Sequence, residues 1–330
     1  MSKIKVGIVG GAGYTAGELL RILINHPEVE ISCIQSESQA GKTVHSAHQD
    51  LFFAADLDFV MDIDPGADVY FLCKGHGESS KILSGHKIPK GKCIIDLSQD
   101  FRIAGKHPEV QREYGDFVYG LPELCKEKIR KSKNVANPGC FATCIQLGLL
   151  PLAEGQRLNH DVHVSAITGS TGAGQSLSST SHFTWRNNNL SVYKPFNHQH
   201  LDEIYQSLSG LQDNMQHRIH FIPYRGDFTR GIISTLYMES DLKLHDVREL
   251  YAEFYRNEPF VRLSSENIHL KQVVNTNYCL LYTEKIGDKL LIISIIDNLL
   301  KGAAGQAVQN MNLMFGINED TGLNLKGSAF

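Results

Sequence analysis

No stretch of this sequence approaches the ~20 uninterrupted apolar residues that a helix needs to cross a bilayer. The opening "MSKIKVGIVGG" runs straight into a strand, with no separate targeting segment. The expectation is a soluble, cytoplasmic protein. There is no basic run either, and 32 Lys+Arg against 36 Asp+Glu leave a net charge of -4, which argues against nucleic acid or an acidic membrane surface as partner. No internal repeat, low-complexity tract or long flexible linker interrupts the chain. Disulfide pairing has no support, because the seven cysteines (Cys33, Cys73, Cys93, Cys125, Cys140, Cys144, Cys279) are odd in number and irregularly spaced in a chain of 330 residues. Most should be small buried hydrophobes. Cys140 and Cys144 have the spacing of half a zinc site, but no second pair matches them, so no metal is expected.

What is present is enough apolar residue, 42% of the chain, to bury a real core and to build two domains. "KVGIVGGAGYTAGELLRILINHP" opens with an apolar strand, turns through glycines, and then carries Leu19, Leu20, Leu23 and Ile24 at helical spacing until Pro27. The apolar runs "VEISCI", "ADVYFLC", "CIIDLS" and "NVAN" follow, as expected of parallel strands buried on both faces. The first part therefore reads as a doubly wound α/β dinucleotide-binding domain of Rossmann type. Beyond it come longer strand-like segments ("DVHVSAIT", "RGIISTLYM", "NYCLLYTEK", "KLLIISIID") and helical ones near 199 to 208 and 244 to 255, which read as an α+β domain. The boundaries are set at 1–140 for the first domain and 141–297 for the second. The helical end "DNLLKGAAGQAVQNMNLMFG" folds back to complete the first domain with residues 298–330.

Gly10, Gly13 and Ala16 lie between the first strand and the first helix, a variant of the dinucleotide fingerprint in which helix N-terminal amides face a pyrophosphate. The residues closing the second strand send a mixed signal. Glu37 could accept from a ribose 2′-hydroxyl, which favours NAD, whereas Ser36, Ser38 and Lys42 could hold a 2′-phosphate. "NPGC" ends a strand in a turn, and Phe141 onward is helical, so the Cys140 sulfur should sit in a first helical turn, where the dipole favours the thiolate. Cys144, one turn deeper, is expected to be a core residue. A nucleophilic thiol needs a base, and "FNHQHLDEI" supplies His198 and His200, with Glu203 placed to orient an imidazole. Two further segments suggest an anion site. They are "DLSQDFRI", with Arg102 past a strand's carboxyl end, and the glycine and hydroxyl loop "ITGSTGAGQS".

Eight stretches in order, "GIVGGAGYTAGELLRIL", "DLSQDFR", "VYGLPEL", "VANPGCFAT", "GSTGAG", "HQHLDEI", "RGIISTLY" and "DNLLKGAAGQAVQNMN", give the chain a resemblance to the N-acetyl-gamma-glutamyl-phosphate reductases of arginine biosynthesis. The related aspartate-semialdehyde dehydrogenases share the glycine turn and the thiol but fit the other motifs less well. The resemblance implies NADPH-dependent reduction of the 5-phosphate to the 5-semialdehyde plus phosphate through a Cys140 thioester, with the His198-Gln199-His200 motif moving protons. It implies a fold of the semialdehyde dehydrogenase type and a homo-oligomer, dimer or tetramer, assembled through the second domain. Carried over with it are the candidate cofactor contacts Gly10, Gly13, Tyr14, Thr15, Ser36, Ser38, Gly172 and Asn298, and the candidate substrate contacts Arg102, Asn137 and Ser170. The chain departs from the family at Ala16, often glycine; at Glu37, where a basic or neutral residue is expected; and at Tyr224 and Asp227, commonly histidine and proline. Two alternatives stay open. One is the same chemistry on N-succinyl-glutamyl or aspartyl phosphate, and the other is a non-catalytic dinucleotide sensor.

Overall fold

The computed structural model describes residues 2–54, 56–213 and 215–328 and divides into two compact units. The first holds the chain up to Pro138 together with Ala303–Asn324, and the second holds Gly139–Gly302 with the residues after 324.

In the first unit the strands β1 (Ile4–Val9), β2 (Val29–Gln35), β3 (Val69–Leu72), β4 (Cys93–Asp96), β5 (Val118–Tyr119) and β6 (Asn134–Ala136) alternate with the helices α1 (Tyr14–Leu23), α2 (Glu78–Ser84), α3 (Pro108–Tyr114) and α4 (Pro122–Arg130). They form one sheet in the order β2-β1-β3-β4-β6-β5, and every pairing is parallel. All four residues of β3 are buried, which is why it reads as an unbroken apolar run. The chain reverses its direction of travel across the sheet at β1, between β2 and β3, and the glycine turn stands at the carboxyl end of that strand. In open α/β sheets this switch point is where ligands bind.

The second unit begins with α5 (Cys140–Glu154), followed by β7 (Val162–Thr168), α6 (Phe183–Arg186), β8 (Ser191–Val192), α7 (His200–Ser209), β9 (Ile219–Arg225), β10 (Ile232–Glu239), α8 (Leu244–Phe254), β11 (Val261–Ser264), β12 (Cys279–Ile286) and β13 (Lys289–Ile296). Its strands form a mixed sheet in the order β11-β12-β13-β10-β7-β9-β8. Every α5 residue from Phe141 to Ala153 is buried, and the helix packs on β10, β13 and α7. Along β7 and β10 the burial alternates residue by residue, so one face of the sheet is sealed and the other is partly open.

The C-terminal helix α9 (Ala304–Met314) belongs to the first unit and packs on α1 and α4. Cys140 starts a helix committed to the second sheet, so the break comes before Gly139. The loop 297–302 is bonded within the second unit, so the return segment starts at Ala303.

Candidate active site

The glycine turn is built so that α1 presents an unsatisfied amino end. Gly10 has φ +86, and a side chain there would meet Cys73 and Lys74 at about 3 Å, so only glycine makes the bend. The N–H groups of Gly10 and Gly11 both donate to the carbonyl of Gln35, at 3.0 and 2.8 Å, and this pins the turn to the end of β2. No side chain caps α1, and its first turn contains no acidic residue. A Cβ on Gly13 would find nothing nearer than an oxygen at 4.0 Å. Tyr14 is 39% exposed and Thr15 also reaches the surface, while Ala16 is fully buried. Open amides with the positive end of the helix dipole behind them fit a pyrophosphate.

Where the adenosine ribose would lie, Ser36 is buried and Ser38 is exposed. Glu37 is fully exposed and forms an ion pair with Lys74, Nζ to Oε1 3.3 Å, which holds its carboxyl below the ordinary range. Lys74 escaped the sequence reading because it stands 37 positions away, past the end of a different strand. Lys42 donates instead to Gln39, at 3.2 Å.

The thiol site lies wholly in the second unit. Gly139, extended at φ -72 and ψ 150, precedes α5, and Cys140 is its first residue, partly exposed, with no acidic neighbour in that turn. The backbone N–H of Gly139 donates to Glu203 Oε2 at 2.9 Å. The His200 ring lies over the same glycine so closely that a Cβ there would be 2.3 Å from Nε2. Glu203 Oε1 stands 4.0 Å from that Nε2, so this buried carboxylate fixes the peptide entering Cys140 and gives His200 a facing negative charge. On the other side Gly302 approaches so closely that a Cβ would be 2.8 Å from the Cys140 Cβ.

The two histidines differ in kind. His198 is 5% exposed and is enclosed by Phe141, Tyr193, Phe221 and His200. Its Nδ1 accepts the backbone N–H of His200 at 3.2 Å, and burial together with the positive charge of Lys194 pushes its pKa down to about 4. It is therefore neutral, with its proton on Nε2. Cys144 is fully buried, donates to the carbonyl of Ser294 at 3.3 Å, and has a pKa raised by burial to about 11. Among the described residues no group of three or more His, Cys, Asp or Glu could hold a metal ion.

Three sequence-derived contacts take other work. Arg102 is 6% exposed and donates from Nε to the carbonyl of Asn137 at 2.8 Å and from Nη2 to that of Leu97 at 3.0 Å. It ties together the ends of β4 and β6 rather than standing open to an anion, so Arg102→Leu would not leave the fold unaffected. Stranding those carbonyls should lower Tm by about 3 to 10 °C, read by calorimetry. An unchanged Tm would show that these bonds stabilise nothing. Asn137 is 1% exposed, with Nδ2 on the Ala303 carbonyl and Oδ1 accepting from Asn310, each at 3.0 Å. Its side chain clamps the C-terminal segment and is not free for substrate. Asn298 accepts from the N–H of Gly231 at 2.6 Å and donates to Thr171 Oγ1 at 3.0 Å. It thereby holds the 169–174 loop, in which Ser170 is partly buried and Gly172 exposed. Next to it, the fully buried Asp297 accepts from Arg230 Nε at 3.0 Å and from the N–H groups of Leu299, Leu300 and Asn275 at 2.8, 3.2 and 2.8 Å. This anchors the loop that reaches Cys140. Nothing in the local sequence announces that anchor.

Residues 5–132 match the family described as semialdehyde dehydrogenase, NAD binding domain, and residues 140–298 match semialdehyde dehydrogenase, dimerisation domain. Proteins named N-acetyl-gamma-glutamyl-phosphate reductase from Parabacteroides distasonis and Bacteroides fragilis are 56% and 57% identical over 328 residues, 99% of this chain and 100% of theirs. Among solved structures, aspartate semialdehyde dehydrogenase II from Vibrio cholerae superposes with a TM-score of 0.74 at 15% identity, over 96% of this chain and 99% of that one. Aspartate semialdehyde dehydrogenase from Candida albicans gives 0.70 at 13%, over 94% and 98%. That degree of identity speaks for the fold alone, whereas identity above one half along the full chain settles the narrower group: the chain belongs to the N-acetyl-gamma-glutamyl-phosphate reductase family of the semialdehyde dehydrogenases.

Proposed function

We propose that the protein reduces an N-acyl-gamma-glutamyl phosphate, N-acetyl in the first instance, to the 5-semialdehyde and phosphate, with NADPH as reductant and Cys140 as nucleophile. The carrying observation is Cys140 at the partly exposed first position of a dipole-bearing helix, with His200 lying over the preceding residue. His200 accepts the thiol proton, and Sγ bonds to the acyl carbon as the carbon–oxygen bond to phosphate breaks. The proton passes from His200 to the departing phosphate. Held at the glycine turn of Gly10 and Gly13, the reduced nicotinamide dinucleotide would supply the hydride that the thioester carbon takes up. The resulting alkoxide re-forms its carbonyl, breaks the carbon–sulfur bond and restores the thiolate. Glu203 positions Gly139 and faces His200, and Asn298 and Asp297 hold the loops at Cys140. In the reverse direction, the protein should reduce NADP with N-acetyl-glutamate semialdehyde only when phosphate is present. Turnover of aspartate semialdehyde in preference would overturn the substrate assignment.

Preference for NADPH over NADH is supported by Lys74, which neutralises Glu37 and can turn its ammonium to a 2′-phosphate. Lys74→Met should lower kcat/KM for NADPH by about tenfold, the worth of one charged hydrogen bond, and leave NADH nearly unchanged. A wild-type protein with the higher kcat/KM for NADH would refute the assignment. The match to a dimerisation domain and the partly open face of the second sheet support a homo-oligomer built on that unit. No helix among the described residues is long and apolar enough to cross a membrane, in keeping with a cytoplasmic enzyme.

A further inference from the structure

Arg225 ends β9 and lies with its guanidinium carbon 4.7 Å from the ring centroid of Tyr193. Tyr193 in turn packs against Phe141, the residue after Cys140, and against His198, with ring centroids 6.5 and 5.8 Å apart. The neighbouring arginine, Arg186, is 7% exposed, and its guanidinium is consumed by the protein, with bonds to the carbonyls of Arg225 at 2.7 Å and Asn189 at 3.2 Å and to Ser191 Oγ at 3.1 Å. Arg225 is less fully engaged, its one side-chain partner being Tyr193. Its Nε is buried without a hydrogen-bond partner, and among the described residues no carboxylate pairs with it. The nearest in sequence, Asp227, accepts the N–H of Asn188 on Oδ2 at 2.5 Å, and its charge acts on Arg186. Burial and then the positive charge of Arg225 lower the pKa of Arg186, with Asp227 opposing, and burial, ahead of the charge of Cys140, raises that of Tyr193, with Arg225 opposing. A cation one aromatic ring removed from the nucleophile, with a buried donor left over and a like charge beside it, is incomplete without an anion.

We infer that Arg225 binds a carboxylate of the substrate remote from the reacting carbon. The phosphate is carried on the carbon that Sγ attacks, whereas Arg225 stands across the Tyr193 ring from the surroundings of Cys140, a placement that suits the substrate's far end. A glutamyl substrate offers one carboxylate there, on its α-carbon. A dicarboxylic acyl cap such as succinyl would offer a second. This inference rests on the acyl-phosphate reading above and adds the residue that recognises the other end of the molecule.

The test is phosphate-dependent NADP reduction by the wild-type protein and by Arg225→Leu, with N-acetyl- and N-succinyl-glutamate semialdehyde as substrates. The variant should raise KM for semialdehyde about tenfold or more and leave KM for phosphate unchanged. An equal rise on both substrates assigns the α-carboxylate, and a rise confined to the succinyl substrate assigns the cap. Unchanged KM for semialdehyde in a folded variant, or a rise in KM for phosphate alone, overturns the inference. If Arg225→Leu fails to fold, Arg225→Lys keeps the charge and loses the bidentate fork. A several-fold rise in semialdehyde KM then supports the assignment, and an unchanged value overturns it. A wild-type protein that turns over neither substrate refutes the function itself, which is a different failure.

Discussion

Cys140→Ser should lower kcat by a factor on the order of 10⁴ or more while leaving the melting temperature nearly unchanged. A serine hydroxyl has a far higher pKa than a thiol, and the helix amino end that favours a thiolate gives too little to ionise it. Oxygen for sulfur at a partly exposed first helical position disturbs no packing, so the loss should be one of chemistry alone. Cys144→Ala is the internal control. That sulfur is fully buried against Ser294, so the variant should keep its turnover and lose about 1 to 2 kcal/mol of stability to a small cavity and a lost hydrogen bond. Thermal melts beside steady-state kinetics separate the two outcomes. A Cys140→Ser enzyme with near-normal kcat would remove the covalent mechanism.

The second large effect divides the histidine pair. His200→Gln should reduce kcat by about 10² to 10⁴, the usual worth of a positioned acid–base group, because its Nε2 lies over the residue that introduces Cys140. His198→Gln should be chiefly a stability variant. Its imidazole is held neutral by burial with its pKa near 4, and its Nδ1 is occupied by the N–H of His200. Losing that buried acceptor costs about 1 to 3 kcal/mol. The proton inventory agrees, since an imidazole with so low a pKa is a weak acceptor for a thiol proton near neutral pH. If His198→Gln lost the greater share of kcat and His200→Gln the lesser, the assignment of roles would be reversed.

The proposed nucleophile could be picked out because its address is local. Strand end, Pro-Gly turn and helix start are consecutive residues, and their consequences for a thiol follow from the helix dipole alone. The parallel sheet was legible for a similar reason, since strands buried on both faces write themselves as unbroken apolar runs. β9 was not, because Pro223 interrupts "RIHFIPYR" and a proline within a run speaks against a strand. In the structure it pairs with β7 along its whole length. Partners brought together by distant pairings were invisible, even where one residue of the pair had been singled out. Glu203 reaches Gly139 across 64 positions, and Lys74 meets Glu37 across 37. Arg225 finds Tyr193 only because β9 returns beside the segment that precedes α7. Arg102 and Asn137 show the opposite side of the same difficulty. A strand's carboxyl end is where ligands bind, but it is also where backbone carbonyls and a returning segment need partners, and here the second demand takes both side chains.

Brief alkylation of the native protein with iodoacetamide near neutral pH, followed by peptide mapping, tests the central claim most directly. Burial raises the thiol pKa at Cys33, Cys73, Cys93, Cys125 and Cys144, and Cys279 is buried, which leaves Cys140 as the reactive site. The account predicts that Cys140 is labelled first, that activity falls in proportion to its labelling, and that phosphorylated substrate protects it. Labelling of Cys144 ahead of Cys140, or full activity with Cys140 alkylated, would contradict it and leave only the dinucleotide fold standing.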